Sequence, residues 1–335
     1  MNIQLVVFGI VISLLLATAS APILIKKLRI LKFGQQIITE YGPTWHKNKQ
    51  GVPTMGGLIF ILSTAITFLI LAIWHYSRGD NFLGEMFFGA PFMALIVSVL
   101  LGVMGFADDF TKIKQKHNQG LTEKQKIVVQ SLIGIAFIVF IAIRNGGDTS
   151  VLIPFTDYRL ELSFLYYVFA FIAFIGFVNG CNLTDGIDGL AASVTLPVMA
   201  LYTAVAVFFG ATDIAILTGA FFGGLIGYLF FNWHPARVFM GDTGSMFLGG
   251  MVVTVAFCLD IPMVLFLAGF VYLAEAFSVL IQQTYYKITK GKRIFKMTPI
   301  HHHFELCNWS EVRIVCVFTA VSFVTCALAA LWLFL

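Results

Sequence analysis

Long stretches without a charged side chain are the feature that most restricts how this chain can fold. Ten such runs, interrupted only at Glu275, are each close to the roughly 17–25 residues that a helix needs to cross a bilayer. They cover 1–25, 50–77, 86–107, 127–143, 162–184, 189–212, 214–236, 243–259, 261–286 and 314–335. They are continuously apolar and do not alternate as barrel strands do. The sequence therefore predicts an all-α polytopic integral membrane protein with ten transmembrane helices.

The composition excludes the other classes of protein. Hydrophobic residues make up 59% of the chain and charged residues 11%. A typical soluble domain has roughly 45–50% apolar residues and about 25% charged residues. One core cannot bury such an excess, so a soluble globular enzyme is excluded. A disordered chain needs the opposite composition, and five cysteines are too few, and odd in number, for a disulfide scaffold.

Positive charges concentrate in alternate loops between the runs. Of the 21 lysines and arginines, only Arg78, Arg144 and Arg159 lie in even-numbered loops, and the other 18 lie in odd-numbered loops. The positive-inside rule predicts that the odd loops are cytoplasmic and that both termini are extracytoplasmic. For the cations at 26–32, the setting of this topology is a sufficient explanation.

The chain shows no internal repeat and no polar linker that could separate domains. We predict a single transmembrane domain over 1–335. Among the outward segments, 144–161 combines an Asn-Gly-Gly turn with an apolar triplet at 151–153. A small extracytoplasmic hairpin is predicted there.

The dense polar clusters all lie in segments predicted to be cytoplasmic. Those segments are 26–55, 107–126, 180–190, 232–246 and 287–313. In the first, Lys47 and Lys49 can meet phosphate oxygens, while Thr54 and the amides of Gly56 and Gly57 can donate near a helix N-terminus. A Pro/Gly-rich entry turn with solvated lysines explains this segment, taken alone, better than a binding site does.

Two adjacent carboxylates, Asp108 and Asp109, lie at the inner end of the third run, before the basic stretch at 112–126. Neighbouring residues of a helix point about 100° apart, so the two are predicted to have different roles. One would face a metal or act as a base, and the other would hold a lysine. An ordinary acidic helix end is disfavoured because carboxylates there oppose the helix dipole.

The connection between the fifth and sixth runs holds Asn182, Asp185 and Asp188, three residues apart. If this turn is helical, the three oxygen-bearing side chains share one face. The two carboxylates have no cation in their own loop, so they need a partner from elsewhere. A tight interhelical turn would require only the glycines and the asparagine, so a functional role is favoured.

Two further clusters carry chemistry. Asp242 lies between Gly241 and Gly244 at the start of the eighth run, and it is a candidate Mg²⁺ ligand because Mg²⁺ takes one or two carboxylates plus substrate phosphates. His301, His302 and His303 are consecutive and cannot all face one ion. Without CxxC pairs, structural zinc is disfavoured, and phosphate binding or substrate orientation fits better.

Together the clusters predict phosphoryl transfer on the inner face, with a lipid as one substrate, because that chemistry depends on positioning and charge neutralisation. A secondary transporter is the alternative of a different class. Transporters place ionisable groups near the bilayer centre, whereas here only Glu275 lies well inside a run.

Four motifs carry a family resemblance across essentially the whole chain: FADD at 106–109, NLTDGIDG at 182–189, GDTGS at 241–245 and HHHFE at 301–305. Their ordered set resembles the polyprenyl-phosphate N-acetylhexosamine-1-phosphate transferase superfamily. GVPTMGG at 51–57 and the HHHFE run look like its phospho-N-acetylmuramoyl-pentapeptide transferase branch. A sister branch that uses UDP-GlcNAc is the alternative.

The resemblance implies transfer of phospho-MurNAc-pentapeptide from UDP-MurNAc-pentapeptide to undecaprenyl phosphate, forming lipid I and UMP, with Mg²⁺ as cofactor. It also implies a homodimer in the bacterial cytoplasmic membrane, and a bent ninth span with Glu275 beside a lipid groove. Asp242 would be a metal ligand, and Asp108 and Asp109 would act at the reacting phosphates. Asn182, Asp185, Asp188 and Asn232 would line the uridine and metal region, with Phe239 as a stacking partner for the base. The residues implied to bind phosphate or sugar are Lys49, Thr54, Lys112, Lys124, Gln282, His301 and His302.

Overall fold

The structure is a computed structural model that describes residues 3–31, 49, 51–77, 89–115 and 120–335. These residues form twelve α-helices, one 3₁₀ turn (Pro262–Val264) and one two-stranded sheet. The helices are α1 (Ile3–Ile30), α2 (Gly57–Tyr76), α3 (Ala90–Gln115), α4 (Glu123–Arg144), α5 (Phe164–Thr184), α6 (Leu190–Phe208), α7 (Thr212–Asn232), α8 (Gly241–Cys258), α9 (Leu265–Ala268), α10 (Phe270–Ile288), α11 (Ile300–Glu305) and α12 (Glu311–Phe334). The strands are β1 (Ser150–Leu152) and β2 (Arg159–Glu161).

Nine of the described helices are long and apolar enough to span a membrane, and a bent pair makes up to ten. Each span coincides with one of the ten uncharged runs, so the prediction of an all-α polytopic membrane protein is confirmed. The bent pair joins Pro262–Ala268 to Phe270–Ile288 at 77°, which agrees with the expected bend in the ninth span. Gly269 lies at the break, where a Cβ atom would collide with the ring of Phe177.

The predicted hairpin at 144–161 is present. β1 and β2 pair in antiparallel register, with Ser150 opposite Glu161. Arg159 forms an ion pair with Asp260, and Arg144 donates from Nη1 to the carbonyl oxygen of Cys258 at 3.1 Å. The hairpin and the end of α4 are thereby tied to the C-terminal end of α8.

Helix α8 is the centre of the bundle. Every residue from Thr243 to Cys258 is buried, as expected for a helix that is apolar on all sides. The first turn of α8 meets α3 at Gly105, where a Cβ atom would overlap the backbone of Asp242. Glycine is needed for this close approach. It brings the carboxylates of α3 beside the N-terminus of α8.

Candidate active site

Asp242 is the point at which four segments meet. Its Oδ1 accepts a hydrogen bond from Asn182 Nδ2 at 3.0 Å, and Asn182 also donates to Ser245 Oγ at 2.8 Å. Its Oδ2 contacts the ammonium of Lys126 at 2.7 Å and that of Lys112 at 3.1 Å. Helices α3, α4, α5 and α8 therefore all present polar groups to one carboxylate.

Asp108 faces the same two lysines. Its Oδ2 lies 2.6 Å from Lys112 Nζ and 3.0 Å from Lys126 Nζ. Its Oδ1 accepts from the backbone N–H of Leu121 at 2.7 Å. The two ammonium groups thus lie between the carboxylates of Asp108 and Asp242. They balance two of the negative charges that α3 and α8 bring together.

Asp109 points in a different direction and binds the N-terminus of α8. Its Oδ1 accepts from the backbone N–H of Asp242 at 3.2 Å. Its Oδ2 accepts from Thr243 through the backbone N–H at 3.0 Å and through Oγ1 at 2.7 Å. The first N–H groups of a helix lack partners within the helix and favour negative charge. The prediction that the adjacent carboxylates differ in role agrees with this geometry.

The acidic residues of this cluster can hold a cation. Asp108, Asp109 and Asp242 each offer a carboxylate oxygen, and these oxygens lie within 4.8 Å of one another. Asp242 keeps 17% of its side chain exposed, whereas Asp108 keeps 1%, so Asp242 is the more accessible ligand. Hard oxygen donors in this number suit Mg²⁺, which fills its remaining positions with water and phosphate.

A second polar cluster surrounds Asp188. Lys49 Nζ contacts Asp188 Oδ1 at 2.7 Å and Glu311 Oε2 at 2.5 Å. His234 Nδ1 lies 3.0 Å from Asp188 Oδ2, and the same oxygen accepts from the backbone N–H of Ala236 at 3.0 Å. The expected partner from outside the loop is therefore present. Asp188, His234 and Glu311 also each offer a ligand atom, and these atoms lie within 4.8 Å of one another.

The turn that carries Asp185 and Asp188 is not helical, so the condition for a single face of Asn182, Asp185 and Asp188 is not met. Helix α5 ends at Thr184, and Asp185 caps it with a non-helical backbone, because the glycine-rich turn that follows does not continue the helix. Asn182 consequently joins the Asp242 cluster and Asp188 joins the Lys49 cluster. Asp185 is half-buried near both; burial, followed by the charges of Asp242, Asp109 and Asp188, raises the pKa of Asp185 well above its ordinary value.

The histidine motif lies on the short helix α11. His301 is fully buried, and its Nδ1 lies 3.1 Å from Oε1 of the equally buried Glu275. The side chain of Glu275 therefore packs inside the protein against α11, and a lipid groove along the bent span stays a prediction. His301 also lies against Gly186, where a Cβ atom would collide with the imidazole. His302 Nδ1 contacts Glu305 Oε2 at 2.5 Å.

Two side chains that were predicted to bind substrate form hydrogen bonds to backbone groups instead. Gln282 Oε1 accepts from the N–H groups of Ile294 and Phe295 at 2.9 and 3.1 Å, and its Nε2 donates to the Phe295 carbonyl at 2.9 Å. Asn232 accepts from Gly189 N–H at 3.1 Å and donates to the Val238 carbonyl at 2.9 Å. Both amides are buried. They fix the loops that carry the neighbouring polar residues.

The segment before α2 lies against the loop that leads into α8. The N–H groups of Gly56 and Gly57 donate to the carbonyls of Phe239 and Met240 at 2.7 and 3.1 Å. These amides are therefore used within the protein and do not offer a phosphate site. Thr54 is buried and lies beside Gly241. A Cβ atom on Gly241 would collide with both the Thr54 hydroxyl and the Asp109 carboxylate.

Phe239 is half-buried, and Lys124 is exposed on α4. Among the contacts of the described residues, the Lys124 ammonium forms no ion pair, and the cluster uses Lys126 instead. Lys47 lies outside the described residues.

Three residues of the two clusters were not among the predicted site residues: Lys126, His234 and Glu311. Lys126 was one of five lysines in a basic stretch, and the sequence alone did not distinguish it from Lys124. Glu311 directly follows the N-cap Ser310, and such a glutamate is typical of an ordinary helix start. Only the packing of α12 against the 185–188 turn indicates its role.

Comparisons with known proteins show which family the chain belongs to. A family model described as Glycosyl transferase family 4 matches residues 91–260, about half of the chain. The matched region runs from α3 through α8 and contains Asp108, Asp109, Asn182 and Asp242. The fold is thus that of a membrane-embedded transferase.

Relatives cover nearly the full length of the chain. A protein of Staphylococcus saprophyticus named phospho-N-acetylmuramoyl-pentapeptide-transferase is 42% identical over 96% of this chain and 97% of its own length. Proteins with the same name from Listeria welshimeri and Clostridium novyi are 38% and 40% identical, over 97% and 98% of this chain and 97% of their own lengths. The chain belongs to the phospho-N-acetylmuramoyl-pentapeptide-transferase family. The resemblance found in the sequence motifs is confirmed.

Proposed function

We propose that this protein transfers phospho-MurNAc-pentapeptide from UDP-MurNAc-pentapeptide to undecaprenyl phosphate, releasing UMP and forming lipid I for peptidoglycan synthesis. The reaction takes place at the cytoplasmic face of the bacterial cytoplasmic membrane, and the working unit is a homodimer. The observation that carries the proposal is the convergence of Asp108, Asp109 and Asp242 with Lys112 and Lys126 at one end of membrane-spanning helices. The names of the relatives support the choice of donor and acceptor.

Asp242 would hold Mg²⁺, and Asp108 and Asp109 each have a carboxylate oxygen within 4.8 Å of the ligand atom of Asp242. A bound Mg²⁺ would supply positive charge for the donor diphosphate and for the charge that develops on departing UMP. The donor set supports this assignment, since Mg²⁺ prefers carboxylate oxygens and readily shares them with phosphates.

Lys112 and Lys126 bind the reacting phosphates. Their ammonium groups contact Asp108 and Asp242 in the substrate-free protein, and they also donate to the phosphate oxygens of the bound substrates. An oxygen of the lipid phosphate attacks the phosphorus that bears the sugar, and the bond to the UMP oxygen breaks. Two preorganised cations at this point stabilise the spread of negative charge in the transition state.

Asp108 acts on the reacting phosphates, and Asp109 positions the first turn of α8. Asp109 already accepts three hydrogen bonds, whereas Asp108 Oδ2 contacts the ammonium groups of Lys112 and Lys126. In a one-step transfer, Asp108 takes the proton of the lipid phosphate. In a two-step transfer, it is the nucleophile. UMP release without the lipid acceptor distinguishes the two, because only the two-step reaction releases UMP in that case.

Some of the remaining residues bind the donor, and others support the loops around it. Phe239 stacks on the uracil ring, and Lys49, His234 and Asp188 line the path toward the sugar and peptide. His302 contacts the substrate, and His301 is held in place by Glu275 and supports the turn at Gly186. Gln282 and Asn232 act through the loops that they fix.

The experiment is UMP release by the purified protein with undecaprenyl phosphate, Mg²⁺ and one of two donors. The proposal predicts turnover with UDP-MurNAc-pentapeptide and at least a hundredfold less with UDP-GlcNAc. Turnover with UDP-GlcNAc alone would instead place the protein in the sister branch. If folded protein supplied with undecaprenyl phosphate released no UMP from either donor, that result would contradict a transferase function.

A further inference from the structure

A cavity of about 370 Å³ lies between the C-terminal end of α1 and the end of α7. The proposed reaction uses none of the residues that form it. It is lined by Pro22, Ile25, Lys26, Arg29, Ile30, Phe231 and Arg237.

The cavity opens where a glycine seam between two helices ends. Gly219, Gly223 and Gly227 recur every four residues on one face of α7 and allow α1 to pack closely. A Cβ atom on Gly223 would overlap the carbonyl of Ile10, and one on Gly227 would press on Ala17. The next position of the same face is Phe231, whose ring cannot fit into such a contact and forms the cavity wall.

One face of α1 supplies the opposite wall. Pro22, the pair Ile25 and Lys26, and the pair Arg29 and Ile30 follow one another at intervals of about one helical turn, which places them on one side of the helix. The face therefore combines apolar side chains with two cations, Lys26 and Arg29, in the last two turns of α1. This pattern is typical of a helix that leaves the apolar part of a bilayer beside a phosphate-rich surface.

The three cations of the cavity have no anionic partner within the described residues. Among the ion pairs there, none involves Lys26, Arg29 or Arg237. Arg237 is nevertheless held in place, because its backbone N–H donates to the Phe231 carbonyl at 2.8 Å. Lys26 and Arg29 are exposed on the last turns of α1. Three exposed cations around an apolar recess are complementary to a negatively charged group with an apolar tail.

We propose that this cavity binds the phosphate headgroup of an anionic phospholipid, with an acyl chain against Ile25 and Phe231. Lys26, Arg29 and Arg237 pair with the phosphate. A soluble phosphate would leave the apolar wall without a partner, and a zwitterionic lipid would offset the attraction with its own cation. The proposal does not depend on the transferase reaction, because none of the residues in the cavity contacts Asp108, Asp109 or Asp242.

The test is lipid retention by the purified, delipidated protein, measured by native mass spectrometry with phosphatidylglycerol or phosphatidylcholine. Each cation near a membrane surface contributes roughly a fivefold gain in affinity for anionic lipid. We expect the wild type to prefer phosphatidylglycerol at least tenfold and the triple variant Lys26→Gln, Arg29→Gln, Arg237→Gln to lose that preference. The matched control, Lys287→Gln, Lys290→Gln, Lys292→Gln, removes three exposed cations outside the cavity and should keep it.

Three results would overturn the proposal. The wild type could retain the two lipids equally, or the triple variant could keep the wild-type preference for phosphatidylglycerol. The control variant could also lose that preference as fully as the triple variant does. Displacement of phosphatidylglycerol by millimolar glycerol phosphate would show a free-phosphate site, and displacement by undecaprenyl phosphate alone would show a substrate site. The wild-type comparison stands even if the triple variant fails to fold.

Discussion

The carboxylate of Asp109 crosses from α3 to α8 and accepts two hydrogen bonds from Thr243, at 3.0 Å from the backbone N–H and at 2.7 Å from Oγ1. A third comes from the N–H of Asp242. One side chain thus fixes the turn that presents Asp242 to the site. Asp108, the next residue, is left to face the two lysines.

This division predicts opposite effects for two neighbouring substitutions. Asp109→Ala removes three hydrogen bonds to a charged group at a helix N-terminus, so it should lower the stability of the protein by roughly 2 kcal/mol or more. Asp108→Asn should leave the melting temperature in detergent within a few degrees and lower kcat by at least a hundredfold. A stable Asp109→Ala protein, or an active Asp108→Asn protein, would show that the roles are misassigned.

The two lysines at the start of α4 provide a matched pair. Lys126 contacts both Asp108 and Asp242, whereas Lys124 is exposed. Lys126→Ala should reduce turnover roughly a hundredfold, because it removes a preorganised cation from the reacting phosphates. Lys124→Ala should change it less than threefold. Equal losses in the two variants would favour the sequence-based assignment of Lys124.

Gln282 is expected to stabilise a loop and not to bind substrate. Gln282→Ala removes the three hydrogen bonds to Ile294 and Phe295, so trypsin should cleave at Lys292 or Arg293 several times faster. Gln283→Ala, at the exposed neighbouring position, is the control and should be cleaved like the wild type. Unchanged cleavage of Gln282→Ala together with a raised KM for the donor would return Gln282 to the binding site.

The pKa of Asp185 predicts a pH-dependent cost in stability. Burial and the nearby carboxylates raise this pKa, so the folded protein favours the protonated acid. Above the raised pKa, ionised Asp185 therefore lowers the stability of the metal-free protein. Below the ordinary carboxyl pKa of about 4, this loss of stability disappears, because Asp185 is protonated in both the folded and the unfolded state. In EDTA, Asp185→Asn should melt several degrees above the wild type at pH 8 and together with it near pH 4. A variant that melts at the wild-type temperature at pH 8 would contradict this.

The spans could be predicted because a bilayer imposes a length and an apolar composition on any helix that crosses it. The acidic cluster could also be anticipated, since carboxylates such as Asp108 and Asp242 at the ends of spans need partners. The bend at Gly269 was expected only through the family resemblance, because a glycine within an apolar run does not by itself end a helix.

The partners of individual side chains could not be predicted. Lys124 and Lys126 are two residues apart and point to nearly opposite sides of α4, so only packing decides which one meets Asp108. Gln282 lies near the end of the ninth run and Asn232 at the start of a polar segment, positions that suit substrate binding equally well. Only the folded loops show that their amides bind backbone. Glu275 lies inside an uncharged run, and its partner His301 is supplied by a separate element, α11.

The most direct test of the central claim is Mg²⁺-dependent UMP release by the wild type and by Asp242→Asn, each purified in the same detergent and checked for folding. If the cluster of Asp108, Asp109 and Asp242 is the transfer site, the wild type releases UMP only with Mg²⁺. Asp242→Asn then releases it at least a thousandfold more slowly at saturating Mg²⁺. Turnover by Asp242→Asn at the wild-type rate would place the chemistry elsewhere in the protein.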